Sequence, residues 1–259
     1  MEFIDTHTHL FLPEFNEDRF QVIERAILAG VQKMLLPNID KNTVESMLEL
    51  SSAFPDHCIP MIGLHPTSVK EDYLEHIMIM EKYLHSHKFC AIGEVGIDLY
   101  WDKSYLVQQQ KAFIHQIELA RKYELPLVIH SRDSYQEIVD ILHQQNNGQL
   151  YSGIFHSFSG NTSQAEEVIK LGFKLGINGV VTFKNSNLGE VLQHVNLKNI
   201  VLETDSPYLT PVPKRGQRNE SAYLTYIANK IAEIKQVSPD EVAKTTTFTA
   251  ISVFKLHGL

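Results

Sequence analysis

The chain has 259 residues, 43% of them hydrophobic, and this is enough to bury the core of one α/β barrel. Its 31 acidic and 23 basic residues give a net charge of −8, which argues against a protein that coats nucleic acid through a broad basic surface. With no long apolar run and no signal-peptide pattern, we expect a cytoplasmic protein without membrane contact or an obligate protein partner. Both cysteines, Cys58 and Cys90, lie in apolar runs, so we expect buried, reduced thiols.

Short apolar runs alternate with longer helical patterns through most of the chain, which is typical of βα units around a parallel sheet. Eight such runs are present, and eight parallel strands close a barrel. The predicted strands are Phe3 to His7, Val31 to Leu36, Cys58 to Gly63, Phe89 to Glu94, Leu127 to His130, Gly153 to His156, Phe173 to Ile177 and Ile200 to Thr204.

Amphipathic stretches between these runs repeat apolar residues every three or four positions and predict an outer ring of helices. They include Arg19 to Ala29, Thr43 to Ala53, Tyr105 to Tyr123 and Tyr135 to Gln145, and two more follow the last strand, Ser221 to Ile234 and Pro239 to Phe254. The sequence thus predicts an α/β fold, a (β/α)₈ TIM barrel over residues 1–259 as a single domain with extra C-terminal helices. An open doubly wound sheet is the alternative, but its usual glycine-rich first turn is replaced here by His7 and His9.

The first predicted strand runs directly into His7 and His9. Side chains two residues apart on a strand project to the same face, about 6–7 Å apart along the backbone. Two imidazoles at this spacing can share one metal ion, although a lone pair of this kind also arises by chance.

Other polar residues end the remaining predicted strands. In a (β/α)₈ barrel these carboxyl ends meet at the rim that carries the active site, and five of the 13 histidines fall there. The rim residues are His7, His9, His65, Glu94, His130, His156 and Asp205. Crowding imidazoles and carboxylates in one cavity is costly without a cation, so a pair of divalent ions is expected. We expect the other histidines, His257 among them, to be surface or packing residues.

Seven ordered blocks run from the first predicted strand to the basic loop that follows the last one. The blocks are Asp5-Thr6-His7-Thr8-His9, Gly63-Leu64-His65-Pro66, Ala91-Ile92-Gly93-Glu94-Val95-Gly96-Ile97-Asp98, Val128-Ile129-His130-Ser131-Arg132, His156-Ser157-Phe158-Ser159-Gly160, Leu202-Glu203-Thr204-Asp205-Ser206-Pro207 and Arg215-Gly216-Gln217-Arg218-Asn219-Glu220. Together they give the chain a specific resemblance to the TatD family of metal-dependent deoxyribonucleases, within the amidohydrolase-like barrels.

The resemblance implies two divalent metal ions, with Mg²⁺, Mn²⁺ and Zn²⁺ all acceptable to such ligands. His7, His9, Glu94 and Asp205 would bind one ion, and Glu94, His130 and His156 would bind the second, so that Glu94 bridges them. Two ions about 3.5–4 Å apart can stabilise both the attacking and the leaving oxygen of a phosphodiester. One departure is Ser221, where the family often has proline, and the next helix is therefore expected to start differently.

Four residues are candidates for catalysis. Glu94 would bridge the ions, and Asp205 would either orient and deprotonate the attacking water or act only as a ligand. Glu203 lies two residues earlier on the inner face, where it would support a ligand histidine. His65 would contact the scissile phosphate, protonate the leaving oxygen or simply hydrogen-bond within the rim.

Basic and aromatic side chains near the rim are candidates for substrate binding. Arg132, Arg215 and Arg218 would hold substrate phosphates together with His65, whereas Lys214 is more typical of a solvated loop charge. Three aromatic residues follow rim strands and would either stack on a nucleobase or cover helix ends: Tyr100, Trp101 and Phe158.

The favoured function is exonuclease-type hydrolysis of DNA ends or single strands. A binuclear hydrolase of a small ester, lactone, amide or phosphate compound is the alternative, since barrels support many chemistries through loop variation. A metal-binding or partner-binding protein without activity is the weakest reading, because binding alone does not need reactive groups at six strand ends.

Overall fold

The computed structural model describes residues 1–256, and His257 lies outside this range. Eight parallel strands alternate with helices along the chain, in the order predicted from the apolar runs. The strands are β1 Phe3–Asp5, β2 Val31–Pro37, β3 Cys58–Met61, β4 Ile92–Asp98, β5 Leu127–Arg132, β6 Gly153–Phe155, β7 Lys174–Ile177 and β8 Ile200–Leu202.

The strands pair with their sequence neighbours in two groups, β1-β2-β3 and β4-β5-β6-β7-β8. Backbone hydrogen bonds join the two groups at both seams. Gly93 N donates to Ile62 O at 2.9 Å on one side, and Thr6 N donates to Leu202 O at 3.0 Å on the other. This order is that of the predicted (β/α)₈ barrel and differs from a doubly wound sheet, in which the strand order reverses.

Nine α-helices lie within residues 1–256, and none of them is long and apolar enough to cross a membrane. They are α1 Arg19–Leu28, α2 Val44–Ala53, α3 Tyr73–Ser86, α4 Leu106–Lys122, α5 Tyr135–Gln144, α6 Thr162–Lys170, α7 Leu188–His194, α8 Leu224–Lys235 and α9 Pro239–Phe254. The departure at Ser221 coincides with a short 3-10 turn, Ser221–Tyr223, directly before α8.

The helix α9 covers the end of the barrel that lies opposite the polar rim. Its Val253 and Phe254 join an apolar cluster with buried residues of β1, β2, β3, β5, β6 and β8. Thr247 Oγ1 also donates to Glu2 O at 3.0 Å, and Lys255 Nζ, just after α9, donates to Glu124 O at 2.8 Å. Glu2 and Glu124 both lie shortly before a strand. An apolar plug therefore fills the amino ends of the strands, which leaves the polar groups at the other rim.

The fourth strand differs from its predicted range. It begins at Ile92 and continues to Asp98, four residues beyond the predicted end at Glu94. The register with β5 shifts between Gly93 and Val95, which leaves Glu94 outside the pairing. Such irregularities re-aim a side chain next to an active site. The longer strand also brings Asp98 to the rim.

Both cysteines are buried and unpaired within residues 1–256. Burial raises the pKa of the Cys58 thiol to about 12 and raises that of Cys90 as well. Because the thiolate is the reactive form, we expect neither thiol to react with a thiol-specific reagent at pH 8 in the native protein, and both to react after unfolding in urea. Rapid modification of the native protein, followed spectroscopically, would contradict this packing.

Candidate metal centre

The two histidines that follow β1 meet a carboxylate from the other side of the barrel. His7 Nε2 lies 3.3 Å from His9 Nε2. Asp205 Oδ1 lies 3.8 Å from His7 Nε2 and 3.5 Å from His9 Nε2. Glu94 Oε2 approaches the same two nitrogens, at 3.0 and 3.8 Å. His7, His9 and Asp205 therefore form one group of possible metal donors, and Glu94 approaches both of its histidines.

The second carboxylate oxygen of Glu94 faces three other histidines. Glu94 Oε1 lies 2.8 Å from His130 Nδ1 and 3.9 Å from His156 Nε2. His65 Nε2 belongs to this group too, at 3.4 Å from the same oxygen. The structure thus groups His130 with Glu94 and His65, whereas His156, predicted for the same ion, groups with Glu94 and His7 and lies 3.6 Å from Asp205 Oδ1.

The donor atoms of the first group fit a divalent cation. Ligands bound at about 2.0–2.2 Å to a tetrahedral ion lie about 3.3–3.6 Å from one another. The distances that join the nitrogens of His7 and His9 to each other and to the carboxylates of Glu94 and Asp205 run from 3.0 to 3.8 Å and bracket this range. Imidazole nitrogens mixed with carboxylate oxygens suit Zn²⁺ and Mn²⁺, and oxygen ligands with open positions suit Mg²⁺.

The buried ionisable groups of the cluster also shift one another's pKa values. Burial opposes protonation of the imidazoles, but the carboxylates of Asp98 and Glu94 raise the pKa of His130 to about 9. Burial and the charge on His156 lower the pKa of His7 to about 4. Burial disfavours a charged Glu94, yet the surrounding histidines hold its pKa well below the ordinary value. Carboxylates that stay ionised at neutral pH are suited to bind cations.

Two buried carboxylates hold the ligands in place from outside the cluster. Asp5 accepts hydrogen bonds from Thr204 N at 2.9 Å and Thr204 Oγ1 at 2.6 Å, which ties the end of β1 to the end of β8. Glu203 Oε1 lies 3.0 Å from His156 Nδ1, as expected for a residue that supports a ligand histidine. A Cβ atom at Gly176 would lie 2.4 Å from Glu203 Oε2, so a side chain there would displace the Glu203 carboxylate from its present position.

Asp98 is a site residue that the sequence reasoning did not assign. Its Oδ2 lies 2.8 Å from His130 Nε2, on the opposite side of the imidazole ring from Glu94. Such a contact fixes the orientation of a ligand histidine. The available signal was its place at the end of the block Ala91 to Asp98, because the predicted strand ended at Glu94 and did not reach it.

Two buried glutamines on α4 hold the strand ends that carry site residues. Gln116 accepts from Leu64 N at 2.7 Å and donates to Leu64 O at 3.3 Å, next to His65. Gln109 makes the same pair of bonds with the backbone of Asp98, at 2.8 and 3.2 Å. Seven residues separate them, which is about two helical turns, so both point inward from one face of α4.

We expect Gln116→Leu to lower the free energy of unfolding by about 1–3 kcal/mol, because it leaves a buried N–H and a buried C=O of Leu64 without partners. Urea unfolding followed by circular dichroism measures this difference. Gln110→Leu, at a half-exposed glutamine on the same helix, is the matched control. Equal stability of the two variants would contradict the role given to Gln116.

The predicted phosphate-binding residues separate into two groups. Arg132 lines the cavity above the candidate metal ligands, and the volume of this cavity is about 660 Å³. Arg218, in contrast, is held by Asp18 at 2.7 Å and lies over the ring of Phe15 at 4.5 Å, so it is not among the proposed substrate contacts. Arg215 lies over the ring of Phe183 at 4.0 Å, outside the residues that line this cavity.

The other residues predicted to contact substrate also differ in whether they reach the cavity. Lys214 lies over the ring of Tyr223 at 5.5 Å. Phe158 is only 5% exposed and packs in the core, so it cannot stack on a base. Trp101 and His65 line the cavity, and Tyr100 is exposed beside Trp101.

A parallel (β/α)₈ barrel with mixed histidine and carboxylate donors at the carboxyl ends of its strands defines a metal-dependent hydrolase. The uncharacterized metal-dependent hydrolase YabD of Bacillus subtilis strain 168 is 37% identical over 255 residues that cover 98% of this chain and 99% of YabD. The crystal structure of YjjV, a TatD homolog from Escherichia coli K12, has a TM-score of 0.91 at 28% identity and covers 98% of both chains.

A TatD family hydrolase from Entamoeba histolytica shares the fold, with a TM-score of 0.84 at 22% identity over 98% of each chain. The profile of the TatD related DNase family matches residues 4–255. The chain belongs to the TatD family.

Proposed function

We propose that this hydrolase is a deoxyribonuclease that removes nucleotides from DNA ends with two divalent ions, Mg²⁺, Mn²⁺ or Zn²⁺. The observation that carries the proposal is the position of Glu94, which belongs to two groups of possible metal donors, one with His7 and His156 and one with His65 and His130. Such a bridge suits the in-line displacement of a phosphodiester, because charge builds on two oxygens at once. The description of the matching family, a DNase, supports the same substrate.

Asp205 and His65 would act directly on the attacking water and on the phosphate. When bound, the ions would supply Lewis-acid stabilisation and lower the pKa of a coordinated water. Asp205, whose side chain is 14% exposed, would orient the attacking water and accept its proton at a carboxylate oxygen. His65 lines the cavity, and its Nδ1 is held by Thr67 Oγ1 at 2.7 Å, so its Nε2 is aimed towards the site to contact the phosphate or the leaving oxygen.

The ligands would keep fixed positions during the reaction. His7, His9, Asp205 and Glu94 would hold one ion, and Glu94, His130 and His156 would hold the other. Glu203 would keep the imidazole of His156 oriented through its contact with Nδ1.

One observation favours a smaller substrate as a second candidate. Of the three arginines expected to hold phosphates, only Arg132 lines the cavity, and the chain carries a net charge of −8. A long polyanion usually needs more cationic contacts than this. The second candidate is therefore a binuclear hydrolase of a small ester, lactone, amide or phosphate compound.

A substrate comparison tests the proposal. End-labelled single-stranded DNA and a panel of small esters, lactones, amides and phosphodiesters are incubated with Mg²⁺, Mn²⁺ or Zn²⁺, and kcat/KM is measured for each. The proposal predicts release of nucleotides that a chelator stops. A small molecule turned over much faster than DNA would favour the second candidate, with His130→Ala as the inactive control in both assays.

A further inference from the structure

Two aromatic side chains are exposed at the mouth of the metal-site cavity. Tyr100 and Trp101 follow β4 and expose 55% and 69% of their surface. Their rings meet edge to face, with centroids 5.0 Å apart, and Trp101 lines the cavity directly. Large aromatic groups at the mouth of a pocket are costly to leave in water, and such surfaces mark a place where a ligand binds.

The guanidinium of Arg132 completes this surface. It lies 3.8 Å from the ring centroid of Tyr100 and 5.4 Å from that of Trp101. Within residues 1–256 its side chain has no ion-pair partner, unlike the Arg218 guanidinium, which is bound to Asp18. A guanidinium stacked on a ring keeps its edge N–H groups available, and these match the oxygens of a phosphate.

The surface is fixed relative to the metal ligands by one carboxylate. Asp98 Oδ1 accepts hydrogen bonds from Tyr100 N at 3.0 Å and Trp101 N at 3.2 Å. Asp98 Oδ2 contacts His130 Nε2 at 2.8 Å. The loop that carries both rings is therefore held by the same buried residue that orients His130, and a ligand on the rings has a defined position relative to the reacting bond.

We propose that Tyr100, Trp101 and Arg132 form a nucleotide subsite in which a terminal nucleobase stacks on Trp101 and a neighbouring phosphate binds Arg132. The inference rests on the proposed nuclease function and assigns its substrate contacts. Base stacking is sequence-tolerant and needs little positive charge. A chain with a net charge of −8 has to obtain affinity for nucleic acid from such local contacts.

The fluorescence of Trp101 tests the subsite without turnover, since it is the single tryptophan of the chain. The protein is titrated in Mg²⁺ with a single-stranded phosphorothioate oligonucleotide, whose linkages resist cleavage. We expect quenching of the emission, because a stacked base contacts the indole. Two further oligonucleotides carry an abasic residue, one at the 5′ end and one at the 3′ end. The oligonucleotide that lacks the base stacked on Trp101 is expected to quench weakly, which identifies the terminus that binds.

Kinetics on ordinary DNA give a second measurement. Trp101→Ala is expected to raise KM for a base-bearing end by about 5-fold to 150-fold, the range for loss of one base–aromatic stack. The same variant is expected to match wild type on the abasic end, and Trp101→Phe is expected to recover most of the lost affinity. Phe248→Ala, at an exposed aromatic residue on α9 that is 70% exposed, is the matched control and should leave KM unchanged.

The outcomes separate the two proposals. Metal-dependent cleavage without quenching, or an equal loss for Trp101→Ala on base-bearing and abasic ends, would overturn the subsite and leave the nuclease function standing. Quenching by base-bearing DNA without cleavage in any divalent metal would support the subsite and contradict the nuclease function. Absence of both quenching and cleavage would overturn both.

Discussion

Glu94→Ala is expected to abolish metal-dependent hydrolysis, with kcat/KM at least about 1000-fold below wild type. Glu94 is 2% exposed, and its two carboxylate oxygens face different histidines. Its removal is therefore expected to weaken the binding of both ions. Cleavage assays over a range of metal concentrations measure the effect, and elemental analysis of the dialysed protein reports the ions lost.

The interpretation requires that the variant remains folded. We expect Glu94→Ala to keep the circular dichroism spectrum of wild type, because the core of the barrel is formed by apolar residues elsewhere. Glu94→Gln keeps the volume and one oxygen ligand and is expected to retain more metal than the alanine variant. If Glu94→Ala unfolds in a chelator while wild type remains folded, Glu94 has a structural role and the account of the bridge is wrong.

Asp205→Asn is expected to lower kcat by about 10²-fold to 10⁴-fold, as for loss of a group that accepts a proton in the transition state. The substitution is conservative for the backbone, because Asp205 has a φ of 57° and asparagine tolerates this left-handed conformation. It also keeps one oxygen that can bind a metal. Single-turnover cleavage measures the chemical step.

A matched control is available at the end of β5. Asp133 is exposed and also has a positive φ, at 53°, so Asp133→Asn repeats the same chemical change in a similar backbone conformation. It should leave kcat unchanged. If Asp205→Asn loses its ions along with its activity, Asp205 acts as a metal ligand only. Full activity in that variant would contradict both the ligand role and the role as proton acceptor.

The order of the strands was predictable because a buried parallel strand is a short apolar run, and each of the eight runs contains its strand or overlaps it. The helix α9 matches its predicted range, Pro239 to Phe254, since Pro at the first position and Ser238 before it mark its start. The extent of β4 was not predictable. It depends on a register shift against β5 at Glu94, which is set by the neighbouring strand.

Part of the candidate site could also be predicted from the sequence, and part could not. The rim residues could be found because a barrel brings the ends of its strands together, and His7 and His9 are adjacent as their spacing predicts. The partners of polar side chains could not be found. Arg218 pairs with Asp18, which lies 200 positions away in the chain, and Gln116 reaches Leu64 over 52 positions. Local patterns carry no information about such contacts.

The central claim is that the donors around Glu94 would hold divalent ions and that the protein uses them to cleave DNA. Its most direct test is a titration of the dialysed protein with Mn²⁺, in which bound metal per chain and cleavage of DNA labelled separately at each end are measured on the same samples, with His7→Ala as the control. The account predicts cleavage that rises as up to two ions bind per chain, stops with a chelator and is lost in His7→Ala. Cleavage that is absent with every divalent metal, or that is unaffected by the chelator, would contradict it.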